Sequence, residues 1–195
     1  MSDGSEVTFL DLGCCVGQVL RKLVVDGADS TRLFGVDLEP AFLRLGYELF
    51  RDGDRFKATL IAGDVLAESR PGVDDGGLLA LDGKIDIVHA GAFFHLFSWK
   101  KQVQAAVRLV RFLRAKNPNV FIWGRHMGVD VAGNRLAVRD TGEERFLHNA
   151  ASWQTLWDEV GTATGTKWRV EWDVADEASS REGGIHISRF GVYRA

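Results

Sequence analysis

The sequence predicts one α/β domain with a doubly wound, mostly parallel sheet and helices on both faces, and three observations carry that prediction. Apolar runs of strand length alternate five times with amphipathic stretches before a closing strand pair, the order that a parallel sheet with crossover helices requires. A glycine-spaced bend, Gly13-Cys14-Cys15-Val16-Gly17, joins the first run to the first amphipathic stretch. Aspartates stand at the ends of the next two runs, at Asp37 and Asp64, where open α/β sheets bind their ligands. With 195 residues, 46% of them hydrophobic and 22 of them glycine, the chain suits a single core over residues 1–195 rather than two cramped domains.

A short polar tail, Met1 to Glu6, precedes the first strand, expected over Val7 to Leu12. The first helix follows from Val19 to Val25, and Asp26-Gly27-Ala28-Asp29-Ser30 is turn chemistry. Arg32 to Asp37 reads as the second strand, and Pro40, at a favoured early helix position, opens a helix through Leu49 and Phe50 that Asp52-Gly53-Asp54 stops. Phe56 to Ala62 is the third strand. Arg70 to Gly77 reads as a loop, and Leu78 to Leu81 as a helical turn or two. Lys84 to His89 is a fourth strand, a long helix runs from about Ser98 to Ala115, and Asn117-Pro118-Asn119 breaks it before a fifth strand at Val120 to Gly124. Arg125 to Asn149 is polar with little period and reads as an insertion beside an acceptor site. Asn149 or Ser152 caps a last helix carrying Trp153, Leu156, Trp157 and Val160, and Lys167 to Val174 and Ile185 to Tyr193 alternate as closing strands.

The bend is the first candidate for binding. Gly13 and Gly17 tolerate positive φ and remove the Cβ atoms that would keep a ligand from the backbone, while the helix start offers unpaired N–H groups. A dinucleotide loop places glycines first, third and sixth; here they stand first and fifth with Cys15 between, which argues against a nicotinamide oxidoreductase.

The pattern Asp11-x-Gly13-x-Cys15-x-Gly17 resembles the first motif of class I S-adenosylmethionine (SAM)-dependent methyltransferases, with cysteine in place of the middle glycine. The longer strings L-D-L-G-C-C-V-G-Q, G-V-D-L-E-P, L-G-Y-E-L-F-R-D and H-A-G-A-F-F-H-L-F-S-W resemble more closely still the methyltransferases of fungal meroterpenoid biosynthesis, in which a cysteine at this place is normal. The resemblance implies a Rossmann-like sheet of seven strands with the last strand antiparallel, and S-adenosyl-L-methionine as cofactor. It implies that Asp11, Gly13, Cys15 and Gly17 form the cofactor loop, that Asp37 binds the ribose diol and that Leu38 lies on the adenine. Asp64 and the Val65 N–H would then address the adenine edge, and the backbone near His89 and Ala90 the methionine end, with Asp86 matching the fourth-strand signature. Asp37 also reads as a helix-start carboxylate ahead of Pro40, and both readings stand at this point. Family members carry cover helices ahead of the first strand; a strand starting near residue 7 reads as a truncation, or as a chain covered by a partner subunit or a second copy.

Methyl transfer is an in-line displacement, so alignment is the main requirement. A carboxylate acceptor needs no base; for a phenol or alcohol His95 is the first candidate general base, with His89 and His126 as alternatives, against a purely structural histidine among phenylalanines. Phe93, Phe94, Phe97 and Trp99 suggest a small apolar acceptor, and the resemblance implies O-methylation of a terpenoid or polyketide carboxylate or hydroxyl. A noncatalytic SAM-fold subunit is the alternative, because Leu20, Leu23, Val24 and the 93–99 segment would otherwise meet water.

The net charge of −3 gives no electrostatic reason to expect nucleic acid or an anionic membrane. Arg108, Arg111, Arg114 and Lys116 fall at helical spacing and read as the wet face of a helix. Cys14 and Cys15 are adjacent and are the only cysteines, which excludes a disulfide framework and suits a reducing, cytoplasmic location. No metal-ligand spacing, signal pattern or membrane-length apolar run is present in the sequence.

Overall fold

The computed structural model describes residues 7–67, 76–136, 144–175 and 184–195; the N-terminal tail and most of the loop read over 70–77 lie outside them. The elements are β1 (Phe9–Leu12), α1 (Gln18–Val25), β2 (Leu33–Asp37), α2 (Pro40–Phe50), β3 (Thr59–Ala62), β4 (Ile87–His89), α3 (Trp99–Phe112), β5 (Phe121–Val129), β6 (Gly133–Leu136), β7 (Glu144–Leu147), α4 (Ala150–Thr164), β8 (Trp168–Val174) and β9 (Ile185–Arg194). Seven strands form one sheet in the order β3-β2-β1-β4-β5-β9-β8. The β1, β2, β3, β4 and β5 pairings are parallel, and β9 runs antiparallel to both β5 and β8. The order reverses at β1 and β4, so their C-terminal ends diverge into a crevice.

Alternation along β1 separates two cores, because successive strand side chains point to opposite faces. Leu10 and Leu12 face α3 and α4, joining Val88, Ile122, Phe94, Leu109, Trp153, Trp157 and Phe190. Phe9 faces the other way with Leu20, Leu33, Phe56 and Ala58, and Leu23 and Val24 pack against this second cluster. The expectation that Leu20, Leu23 and Val24 meet water is therefore corrected: Leu20 is fully buried, and its burial contributes about 2 kcal/mol.

Local chemistry sets the helix limits. Glu39 accepts the Ala41 N–H at 2.9 Å ahead of Pro40, and Arg51 closes α2 in the left-handed region with φ 50°. Asn149 and Ser152 both cap α4, since the Asn149 side chain accepts the Ser152 N–H at 3.0 Å and the Ser152 hydroxyl accepts the Asn149 N–H at 3.1 Å. The end of α3 comes earlier than the periodicity predicts. Ile85 N–H donates to the Phe112 carbonyl and Arg114 N–H to the Ile85 carbonyl, so the chain leaves the helix to bridge the start of the fourth strand.

Two further expectations are corrected, and Asp86 takes a structural role. The fifth strand runs on to Val129, and a hairpin of β6 and β7 follows it, where the sequence reads as an aperiodic insertion. Arg108 is buried with its guanidinium 5.0 Å from the Phe112 ring, rather than on a wet face. Asp86 stands at the N-terminal end of β4, far from the crevice, where it accepts from the Thr8 N–H and hydroxyl, each at 2.9 Å, and from Asn117 at 2.8 Å. Its work is to latch three chain segments at the bottom of the sheet. No helix among the described residues is long and apolar enough to cross a membrane.

Candidate functional site

The loop after β1 is held by hydrogen bonds to the end of β2. Gly13 N–H and Cys14 N–H both donate to the Val36 carbonyl, at 2.8 and 3.0 Å, and Cys15 N–H donates to Asp37 Oδ2 at 2.8 Å. The other Asp37 oxygen accepts the Glu39 N–H at 3.0 Å. Each carboxylate oxygen therefore keeps a second acceptor position for a ligand. Gly13 and Gly17 have φ 70° and 72°, and Cys15 between them has φ 51°, so the cysteine adopts the left-handed conformation that a glycine would take without strain.

Behind the loop, Arg21 braces it. The guanidinium donates to the Val16 carbonyl at 2.7 Å and to both Asp52 oxygens, at 2.7 and 3.0 Å, and lies 4.2 Å from the Phe56 ring. A Cβ on Gly46 would stand 2.5 Å from the Val16 carbonyl oxygen, so α2 can approach the loop only through a glycine.

A cleft of about 390 Å³ opens at this edge of the sheet, lined by Gly13, Asp37, Leu38, Asp64, Val65, Phe93, Leu96 and Phe97 among others. That volume suits a small organic ligand. Asp64 accepts the Leu66 N–H at 2.8 Å through one oxygen, and the other has no partner among the described residues. Leu38 is 70% exposed and stands as a bare apolar surface at the cleft wall.

The remaining predicted site residues stand beside this cleft rather than in its lining. Asp11 is buried, and its Oδ1 lies 2.7 Å from His89 Nδ1; burial raises the Asp11 pKa although the histidine contact opposes this. The Trp123 ring covers His89 at 4.5 Å. Ala90 is fully buried and its N–H donates to the Trp123 carbonyl at 2.8 Å. Cys15 and Gly17 shape the turn from behind, and burial pushes the neighbouring Cys14 thiol up, away from thiolate chemistry.

His95 is not part of the cleft lining, though its neighbours Leu96 and Phe97 are. It lies 6.3 Å from His126, and burial together with the Arg145 charge pulls its pKa down to about 4. His126 is buried between Trp153, Trp172 and Phe190 at 5.0, 5.0 and 4.9 Å, and burial holds it well below its ordinary pKa. Of the aromatic set expected around an acceptor, Phe93 and Phe97 line the cleft, Phe94 is core, and Trp99 packs on Phe146 and donates to Glu159 at 2.8 Å.

Sequence reasoning missed a second cavity of about 360 Å³, lined by Val19, His89, Trp123, Gly124, Arg125, Arg189 and Phe190. The alternation Trp123, Arg125, Met127 carried the signal, since it continues the fifth strand past the point where the sequence reads as loop.

A family model described as a methyltransferase domain matches residues 9–116. The chain is 46% identical over 189 residues to the O-methyltransferase phiE of a fungal species, covering 95% of this chain and 61% of that protein. It is 41% identical to the O-methyltransferase atr3 of Stereocaulon alpinum, with 84% and 46% covered, and 36% identical to the Asnovolin E/Chermesin D methyltransferase nvfJ of Aspergillus novofumigatus, with 95% and 65% covered. It thus spans about half to two thirds of the length of these relatives. Among solved structures it superposes on the Burkholderia thailandensis 1,6-didemethyltoxoflavin-N1-methyltransferase with TM-score 0.64 at 14% identity, covering 96% of this chain and 71% of that one. It superposes equally well on the [4+2]-cyclase SpnF, with TM-score 0.65 at 14% identity and 96% and 75% covered, so this likeness speaks for the fold alone.

Proposed function

We infer the function from one premise: this chain belongs to the class I S-adenosylmethionine-dependent methyltransferase family. On that premise residues 1–195 act as one methyltransferase domain that methylates an oxygen of a small, largely apolar secondary metabolite, a terpenoid or polyketide carboxylate or hydroxyl. The observation that carries the reading is that Asp37 and Asp64, from the ends of neighbouring strands, line one cleft together with Leu38, Val65, Phe93 and Phe97. Flat apolar walls suit a purine, and the acceptor positions left on both carboxylates suit a ribose diol and an exocyclic amine.

SAM, when bound, supplies a methyl group on a sulfonium, which passes to the acceptor oxygen as the carbon–sulfur bond breaks with its electron pair going to sulfur. The chain's part is to bind and align. Asp37 holds the loop at Cys15 and offers its remaining acceptor positions to the ribose, while Asp11 orients His89 beside the loop. A carboxylate acceptor is already ionised at neutral pH and needs no base. His95, with its pKa near 4, is a weak proton acceptor, which favours a carboxylate over a hydroxyl.

Titration calorimetry of the chain with SAM, S-adenosylhomocysteine and NAD tests the cofactor, and mass spectrometry of reactions with terpenoid and aromatic acids tests the transfer. Heat with both SAM forms and none with NAD is expected; binding of NAD alone would overturn the reading.

A further inference from the structure

The second cavity is bordered by two like charges on neighbouring strands, both exposed. The β5–β9 register sets Arg125 directly opposite Arg189. Like charges at directly opposed positions of an antiparallel pair destabilise it. Arg189 is relieved on one side, where Asp173, its partner in β8, lies 2.8 Å from the guanidinium. Arg125 has no hydrogen bond or ion pair from its side chain among the described residues. The row Asp173, Arg189, Arg125 therefore carries one cation more than it has anions.

We propose that this cavity is a carboxylate subsite, in which Arg125 and Arg189 hold the acid group of the acceptor; the assignment of that acid to an acceptor rests on the methyltransferase reading above. A planar carboxylate matches the guanidinium fork, and a second anion between two arginines repeats across β5–β9 what Asp173 does across β8–β9. The rest of the cavity fits the body of such a molecule. Trp123 is 41% exposed and offers an aromatic wall, and Phe190 lies beneath. Val19, in the first turn of α1, lines the same cavity, so an acid group held at the arginines shares that cavity with the start of the helix that follows the glycine loop.

A carboxylate could also come from the amino-acid end of the cofactor, and the test separates the two sources. The full chain is titrated with 2-naphthoate and with the neutral 2-naphthamide at low salt, in parallel with S-adenosylhomocysteine, using wild type, Arg125→Gln and Arg189→Gln. Wild type is expected to prefer the acid at least tenfold, and Arg125→Gln to abolish that preference. S-adenosylhomocysteine affinity stays within twofold throughout, and the Arg125→Gln melting temperature does not fall, because an opposed like charge has been removed. Equal binding of acid and amide by wild type, or an unchanged preference in Arg125→Gln, would overturn the subsite. A tenfold loss of S-adenosylhomocysteine affinity in Arg125→Gln would overturn the acceptor assignment and give the arginine to the cofactor. A wild type that ignores S-adenosylhomocysteine yet prefers naphthoate would instead refute the methyltransferase reading and leave the anion site standing.

Discussion

At the C-terminal ends of β1 and β2, half-buried and buried acids are engaged by neighbours that shape a loop: Asp37 takes two backbone N–H groups and Asp11 takes His89. At the β5–β9 side, beneath α4, the titratable groups are histidines set among rings, with His126 packed on two tryptophans and a phenylalanine, and His148 bridging Gln102 and Ser152 at 3.0 Å each. The first region keeps acceptor capacity facing a cleft. The second has its polar atoms turned inward and behaves as core. The same chemical vocabulary thus gives a binding edge in one place and a packing layer in another, and burial decides which.

The comparison is broken most strongly by acid. Unfolded histidines bind protons near pH 6.5, whereas in the fold His95 does so only near 4, His148 near 3, and His126 well below its ordinary value. Between these values the unfolded chain carries more protons, so stability is full above the unfolded pKa and falls as pH falls from 7 toward 4. For a domain of this size the melting temperature is expected to drop by about 10 °C or more between pH 7.5 and 5. His126→Phe, which keeps the ring contacts and removes a proton site, flattens that slope in a calorimetric pH series. A slope unaltered by the substitution would place the acid sensitivity elsewhere.

The binding edge responds to a smaller, local change. Asp37→Ala is expected to weaken S-adenosylhomocysteine binding by about 1.5–3 kcal/mol, the scale of hydrogen bonds to a charged group. It also leaves the Cys15 and Glu39 N–H groups to water, which costs about 1 kcal/mol of stability, or about 2–4 °C. Calorimetry and thermal melts on one sample separate the two effects. Lost stability with unchanged affinity would reduce Asp37 to a loop brace and remove the difference between the two regions.

Most of the parallel half was legible in the sequence because its signals are local. The glycine bend, the Pro40 helix start and the strand-end aspartates each report on a few neighbouring residues, and the β1, α1, β2 and α2 segments stand close to where those signals place them. The antiparallel half was less legible because its elements are stabilised by distant partners. Residues Arg125 to Val129 read as polar loop, yet they stay extended because β9 pairs with them through Ile185 to Arg189. Arg108 and Leu20 were read from periodicity and exposure, and which face a layer covers depends on chain that periodicity does not see. The aromatic neighbours of His95 suggest an acceptor contact, whereas the 3-10 turn at Phe94–Leu96 sets successive side chains about 120° apart, sending Phe94 into the core and Leu96 to the cleft.

The smallest effect separates the loop's backbone from its side chains. Cys15 holds φ 51°, a conformation that costs an ordinary L-residue about 1–2 kcal/mol, and the Asp37 bond to its N–H keeps it there. Cys15→Gly removes that strain but gives the unfolded chain more freedom, a loss of about 0.5–1 kcal/mol, so the net gain in stability is expected to stay under about 1 kcal/mol. Affinity for S-adenosylhomocysteine should hold within about twofold, since the cysteine side chain is absent from the cleft lining and the N–H to Asp37 survives. Cys15→Val keeps the volume apolar but puts a β-branched side chain in the left-handed region, where the loop has to shift and the Asp37 contact loosens. Stability and affinity should then fall together. Equal behaviour of the glycine and valine variants in melts and calorimetry would mean that the loop is held by something other than its backbone conformation, and the contrast between a shaped edge and a packed core would lose its physical basis.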